Sequence, residues 1–165
     1  MKMKKTFDKT ALQALGLGLV SGTRATLATT IASHFLSRKT NKGLKKSRLR
    51  FIQRGTTAII TKVLTAAEIA GDKLPNVPDR TVPAGLLARV GSGGLAGAIV
   101  ARANEENIVK GIFIGGIAAL ASTYLLFTLR KKISQSGYLK EPWPGVVEDV
   151  LAIGGGVLLM RRADQ

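Results

Sequence analysis

Glu68 and Asp72 stand four residues apart, so a helix running through both presents them on one face. Glu68 lies about two-thirds along a stretch, 55–74, that is otherwise mostly apolar. An ionisable group in such a stretch costs a few kcal/mol on insertion scales, so it faces a partner or water. Carboxylates held that way are candidates for proton or cation coupling. Arg24 is the matching base, since Thr10 to Ser37 holds no other ionisable residue but His34. A buried Arg24 paired to Glu68 or to Glu148 would satisfy both partners, and such a pair reads equally well as structural or functional. Glu148 and Asp149 follow Pro142-Trp143-Pro144, a helix start with an interfacial Trp. Near the positive end of that helix the two acids already have a sufficient role in offsetting the dipole. Lys73, Arg80 and Arg89 complete the set as contacts for an anionic solute or a phospholipid headgroup.

Other chemistries find less support. There is no cysteine and one histidine, which removes disulfide scaffolds and most metal sites. Asp72, Lys73, Asp79 and Arg80 could serve a lipid-modifying enzyme at the interface, but no nucleophile–base pair accompanies them. Gly91-Ser92-Gly93-Gly94 lacks the GK[ST] signature of a phosphate loop. The expectation is a protein that is not an enzyme, with no metal and no cofactor.

The elements that must hold these residues are greasy and glycine-rich. The chain has 165 residues, 45% hydrophobic, with 19 glycines and only eight aromatics. Mean hydropathy is positive at +0.18, which excludes a disordered polar chain. Gly111 to Leu129 carries no charge and ends on Arg130-Lys131-Lys132. At about 1.5 Å per residue this run crosses most of a ~30 Å hydrocarbon core. Five hydrophobic segments result, at about 11–36, 55–74, 84–103, 108–129 and 144–160, with a basic loop over 38–54. A soluble domain of this size has room for one helix that is apolar all round, not four or five. The fold class is therefore all-α, a polytopic membrane helix bundle forming one domain over 1–165. The basic N-terminus followed by Ala11 to Val20 resembles a secretory signal, but the cleavage site is poor and apolar sequence resumes at Ala25, so the segment reads as retained.

Small residues recur at a spacing of four: Gly18 and Gly22, Gly93 and Gly97, Gly111 and Gly115. In lipid, close backbone approach supplies the dispersion that holds helices together, so these are helix-packing residues, within the chain or across a homodimer or other homo-oligomer. The net charge of +15 flanks the spans rather than gathering on one polar face, which favours the bilayer and anionic headgroups over nucleic acid. Residues 41–54 read as a short basic helix on the headgroups or as a solvated loop.

With five full spans the basic residues divide ten on one side against twelve on the other. The positive-inside rule asks for an asymmetry. Either the protein inserts both ways and pairs as an antiparallel dimer, or the first segment does not span. Ser21-Gly22-Thr23-Arg24 interrupts that segment with turn-prone residues, and a re-entrant hairpin there competes with a plain helix.

Glu68 to Pro75 has the form E-x-x-x-D-K-x-P, and Pro78 to Thr81 the form P-x-R-T. With Leu17 to Arg24, Arg89 to Gly97 and Val147 to Ala152, they make the chain similar, over about 11–160, to a bacterial membrane-protein family catalogued as domain of unknown function 4126. The resemblance implies a small multi-pass protein of the bacterial inner membrane and brings no activity. Two functions are expected in turn: a small ion- or proton-coupled transporter or channel for a small, anionic solute, and a non-catalytic protein that binds anionic lipid or a membrane partner.

Overall fold

The computed structural model describes residues 3–38, 41–71, 82–136 and 143–163, and among these it is entirely helical. Seven α-helices follow in order: α1 (Met3–Thr23), α2 (Leu27–Leu36), α3 (Lys42–Lys45), α4 (Gly55–Gly71), α5 (Pro83–Ala103), α6 (Ile108–Ser136) and α7 (Trp143–Ala163), with a 3-10 helix at Arg48–Gln53 between α3 and α4. The segments read from hydropathy each contain helix, and α6 runs on past Leu129 to Ser136.

The first segment is broken. Thr23 Oγ1 donates to the Val20 carbonyl at 2.6 Å, and residues 24–26 leave the helix before α2 begins. The chain then turns back. A side chain at Gly156 would meet Ile31 of α2 at 2.5 Å and Val20 of α1 at 3.3 Å, so the two helices lie side by side. By Gly43 the chain has returned to the end of α5, against the main chain of Arg102 and Ala103. That is the level of Gln13 in α1, which accepts from Asn104 Nδ2 at 2.8 Å. The first segment is thus a helical hairpin with its tip at Arg24, not one continuous helix.

α1, α5 and α6 form the tightest packing in the bundle. The reason is steric. Gly97 lies on the carbonyl of Gly111, and Gly93 on Gly115, where an added Cβ would stand 2.6 Å from the Gly115 oxygen. Gly18 approaches Gly115 and Ala118, and Gly22 would clash with Ser122 at 2.5 Å. All six glycines of the four-residue spacings therefore sit at these two crossings, at contacts within one chain. α5 and α6 are antiparallel, joined by a turn in which Glu105 takes a positive φ of 58°. α7 lies against α1 and α2, running opposite to α1. α4 touches only α2 and the 3-10 helix to any extent, and buries just Ala58 and Thr65.

The basic loop folds as two short helical turns, α3 and the 3-10 helix. Leu44 and Ile52 are fully buried in the main core, while Lys42, Lys45, Lys46, Arg48 and Arg50 stay exposed. Asn41 and Ser47 cap its two short turns. The loop is pinned to the bundle by two apolar side chains and offers a fixed basic surface.

Two helices are long and apolar enough to cross a membrane, α5 and the Ile108–Ile133 part of α6. Much of the exterior is apolar as well: Leu87, Leu125, Val150, Leu151 and Leu158 are among the large hydrophobic side chains left exposed. Contiguous apolar surface on this scale is a mark of contact with lipid or protein rather than water.

Candidate polar site at the hairpin tip

The hairpin break leaves main-chain groups without helical partners, and the site is built around them. Arg24, 4% exposed, sits at the tip. Its Nε donates to Asp149 Oδ1 at 2.7 Å and its Nη2 to Oδ2 at 3.0 Å, a two-pronged fork. Its Nη1 donates to the main-chain oxygen of Glu68 at 3.2 Å. The planar guanidinium suits this geometry, which a lysine could not copy.

Glu68 completes the tip from α4. α2 starts with no cap of its own, since the Thr26 side chain makes no capping bond. The Glu68 carboxylate supplies one: it accepts from the Ala25 amide at 2.9 Å, the Thr26 amide at 3.0 Å and the Thr26 hydroxyl at 2.6 Å. A carboxylate at a helix N-terminus is favoured by both the free amides and the dipole.

A row of hydroxyls leads away from Glu68 along the α2–α4 seam. Thr26 and Thr65 are 2.8 Å apart, and Thr65 and Thr30 are 2.8 Å apart. Thr30 also donates to the Thr61 carbonyl at 2.9 Å, and Ser33 meets the Thr61 hydroxyl at 3.2 Å. The contributing positions are 26, the residue before α2, with 30 and 33 on α2, and 61, 65 and 68 on α4, each set at the spacing of one helix face. Two helices that cross in a polar seam satisfy their hydroxyls in each other instead of in water.

The depth of the tip follows from its neighbours. Gly22 packs on Ser122, and Thr123 approaches the Gly22 carbonyl at 3.5 Å. Ser122 lies about 18 Å along α6 from Lys110 and about 12 Å from Arg130, at 1.5 Å per residue. The charged tip therefore stands well inside the uncharged run of α6.

Of the residues singled out in the sequence, the structure brings Arg24 and Glu68 together. The described ion pair of Arg24 is with Asp149, one residue beyond Glu148, and its contact with Glu68 is to the main-chain oxygen. Asp149 lies more than one turn into α7, which makes its role the Arg24 fork rather than dipole compensation. Glu148 is half-buried and, with Arg130, borders a separate cavity of about 540 Å³ between α1, α6 and α7. Arg89 is buried against α1, where its main-chain oxygen accepts from Ser21 at 2.8 Å, which takes it off the surface where a lipid headgroup would reach it. Asp72, Lys73 and Arg80 lie outside the described residues. The sequence reading names Asp149 without its partner and does not single out Thr26, Thr30, Thr61 and Thr65; the available signal is the i, i+4, i+7 spacing of hydroxyls at 26, 30 and 33 facing Thr61, Thr65 and Glu68 at the same spacing. Among the described residues no group of His, Asp and Glu could hold a metal ion.

The family model described as "Domain of unknown function (DUF4126)" matches residues 11–162, nearly the whole chain. No curated protein and no solved structure matches.

Proposed function

We propose a function for a chain that belongs to the DUF4126 family, whose description carries no activity: a small multi-pass transporter of the bacterial inner membrane, moving a small anionic solute in company with a proton. It is read as a carrier and not as an enzyme. The observation behind the reading is the continuous run of hydroxyls, Thr30, Thr65 and Thr26, that ends on the Glu68 carboxylate beside a buried arginine.

The chemistry runs through these atoms. A proton reaches Glu68 Oε2 when Thr26 gives up its hydroxyl proton and takes one from Thr65, which takes one from Thr30, which is in turn reprotonated by a water entering the seam. The single Thr30 proton serves either Thr65 or the Thr61 carbonyl, so the row has an open and a connected state. Protonation of Glu68 removes the negative charge resting on the Ala25 and Thr26 amides. The N-terminus of α2, beside Arg24, then turns two main-chain amides toward an anion at the same depth. Broken half-helices aimed at an anion at intermediate depth are how secondary transporters build such sites.

Purified protein in liposomes, carrying a pH-sensitive dye inside, tests this with chloride, nitrate, phosphate and acetate as probe anions. Anion-dependent proton uptake is expected in wild type and its loss in Glu68→Gln. Absence of uptake for every probe would set the transport reading aside. A second reading, a non-catalytic protein that binds anionic lipid or a membrane partner, draws on the fixed basic surface at Lys42, Lys45, Lys46, Arg48 and Arg50.

A further inference from the structure

A second large cavity among the described residues is lined by α5, α6 and the basic loop rather than by the residues of the polar site. It is an open groove of about 1040 Å³ on the outer face of the α5–α6 pair, roofed at one end by the loop at Ser47–Leu49. Its floor is low because glycines line it: Gly91 and Gly94 on α5, Gly116 on α6. These are not the packing glycines. An added Cβ at Gly91 would meet nothing within 4 Å, and at Gly94 and Gly116 only ordinary contacts. Their small size therefore serves the groove and not the helix crossing.

The groove has direction. Along α5 its lining runs from Arg102 to Val90, and along α6 from Ile108 to Leu120. Each is thirteen residues, about 18 Å of helix from first to last. One end carries Arg48 and Arg102, beside the exposed Lys45 and Lys46. No carboxylate is among its described lining residues. The other end, at Leu120, is the midpoint of the uncharged run Gly111 to Leu129. The groove thus extends from the charged edge of the apolar layer to its middle, the depth of one leaflet of a ~30 Å core.

We infer that this groove is a binding site for one anionic phospholipid, its phosphate between Arg48 and Arg102 and its acyl chains along Gly91, Gly94 and Gly116. A volume of about 1040 Å³ is at the top of the usual range for ligand cavities, as a two-chain lipid requires. Charge selects the occupant: a zwitterionic headgroup gains less from two arginines than an anionic one. The inference rests on the bilayer placement proposed above and is independent of transport.

Native mass spectrometry of the detergent-purified full chain, with added phosphatidylglycerol or phosphatidylcholine, tests it. Wild type is expected to hold phosphatidylglycerol about tenfold more tightly than phosphatidylcholine, and the Arg48→Gln/Arg102→Gln double variant to lose that preference. Gly91→Leu is expected to reduce retention of both lipids, because its side chain fills open space in the groove and touches nothing else. Equal retention of the two lipids by wild type, or undiminished phosphatidylglycerol on Gly91→Leu, overturns the site. So does a Gly91→Leu chain that keeps its lipid and loses a dimer, since the groove would then seat a second copy. Recovery of the chain from the soluble fraction without detergent would instead refute the bilayer placement.

Discussion

Asp149→Asn is the sharpest perturbation of the hairpin tip, because it changes one charge and almost no volume. In the native chain the Arg24 side chain is 5% exposed and that of Asp149 15%. Both prongs of the fork, at 2.7 and 3.0 Å, end on the atoms whose charge is removed. Breaking a buried pair by neutralising one partner typically costs about 3–5 kcal/mol. The partial exposure of Asp149 puts this pair at the lower end, about 3 kcal/mol. For a domain of this size each kcal/mol moves the melting temperature by roughly 2–4 °C, so Asp149→Asn should melt roughly 6–12 °C below wild type. The double variant Arg24→Gln/Asp149→Asn removes both charges and should recover most of that loss, since a buried pair replaced as a unit is nearly neutral. The assay is thermal unfolding in detergent, followed by circular dichroism. A single variant within about 2 °C of wild type, or a double variant no more stable than the single one, would show that the fork does not hold the tip.

Thr65→Val keeps the shape of a buried residue that bridges Thr26 and Thr30, so proton uptake in liposomes should fall at least tenfold, while Thr65→Ser retains it. Gly115→Ala drives a methyl group into the Gly93 main chain, 2.9 Å from its carbonyl carbon, and should cost about 1–3 kcal/mol in the same melting assay. Gly155→Ala, where a Cβ meets nothing within 4 Å, should instead stabilise α7 by about 0.5–1 kcal/mol. Tags at the two ends should both report the cytoplasmic side; ends on opposite sides would contradict the re-entrant hairpin.

What could be read in the sequence divides along physical lines. Close helix approach demands small residues at a spacing of four, so Gly18, Gly22, Gly93, Gly97, Gly111 and Gly115 were visible before any geometry. The break at Ser21 to Arg24 was visible because turn-prone residues and a charge interrupt an apolar run. Asp149 was not distinguishable from Glu148, because adjacent helical residues differ by about 100° of rotation and only packing against α1 chooses between them. The hydroxyl seam was hidden for another reason. Thr and Ser in apolar helices often bond their own preceding turn, as Thr123 does to Ala119 at 2.8 Å, and the sequence does not separate those from hydroxyls that reach a neighbour. The order of the basic loop was hidden because Leu44 and Ile52 are two apolar residues among many charges, and their burial depends on where the hairpin returns.

In the proposed membrane placement, the hairpin would also change the charge balance. Five full spans leave ten basic residues against twelve, which gives the insertion machinery nothing to read. If the first segment turns at Arg24, the four lysines before Thr10 join the first loop, the α5–α6 turn and the tail, and the count becomes sixteen against six. Three contacts support that grouping: Gln13 meets Asn104 at the α5–α6 turn, Gly43 meets Arg102, and Gln13 Nε2 reaches Met160 near the tail at 3.8 Å. The same turn that aligns the charges strands the amides of Ala25 and Thr26 at depth, where water cannot satisfy them. A carboxylate from a distant helix must then reach them, and Glu68 is the one that does. In the proposed membrane placement, one break at Arg24 would set both the orientation of the protein and its polar site.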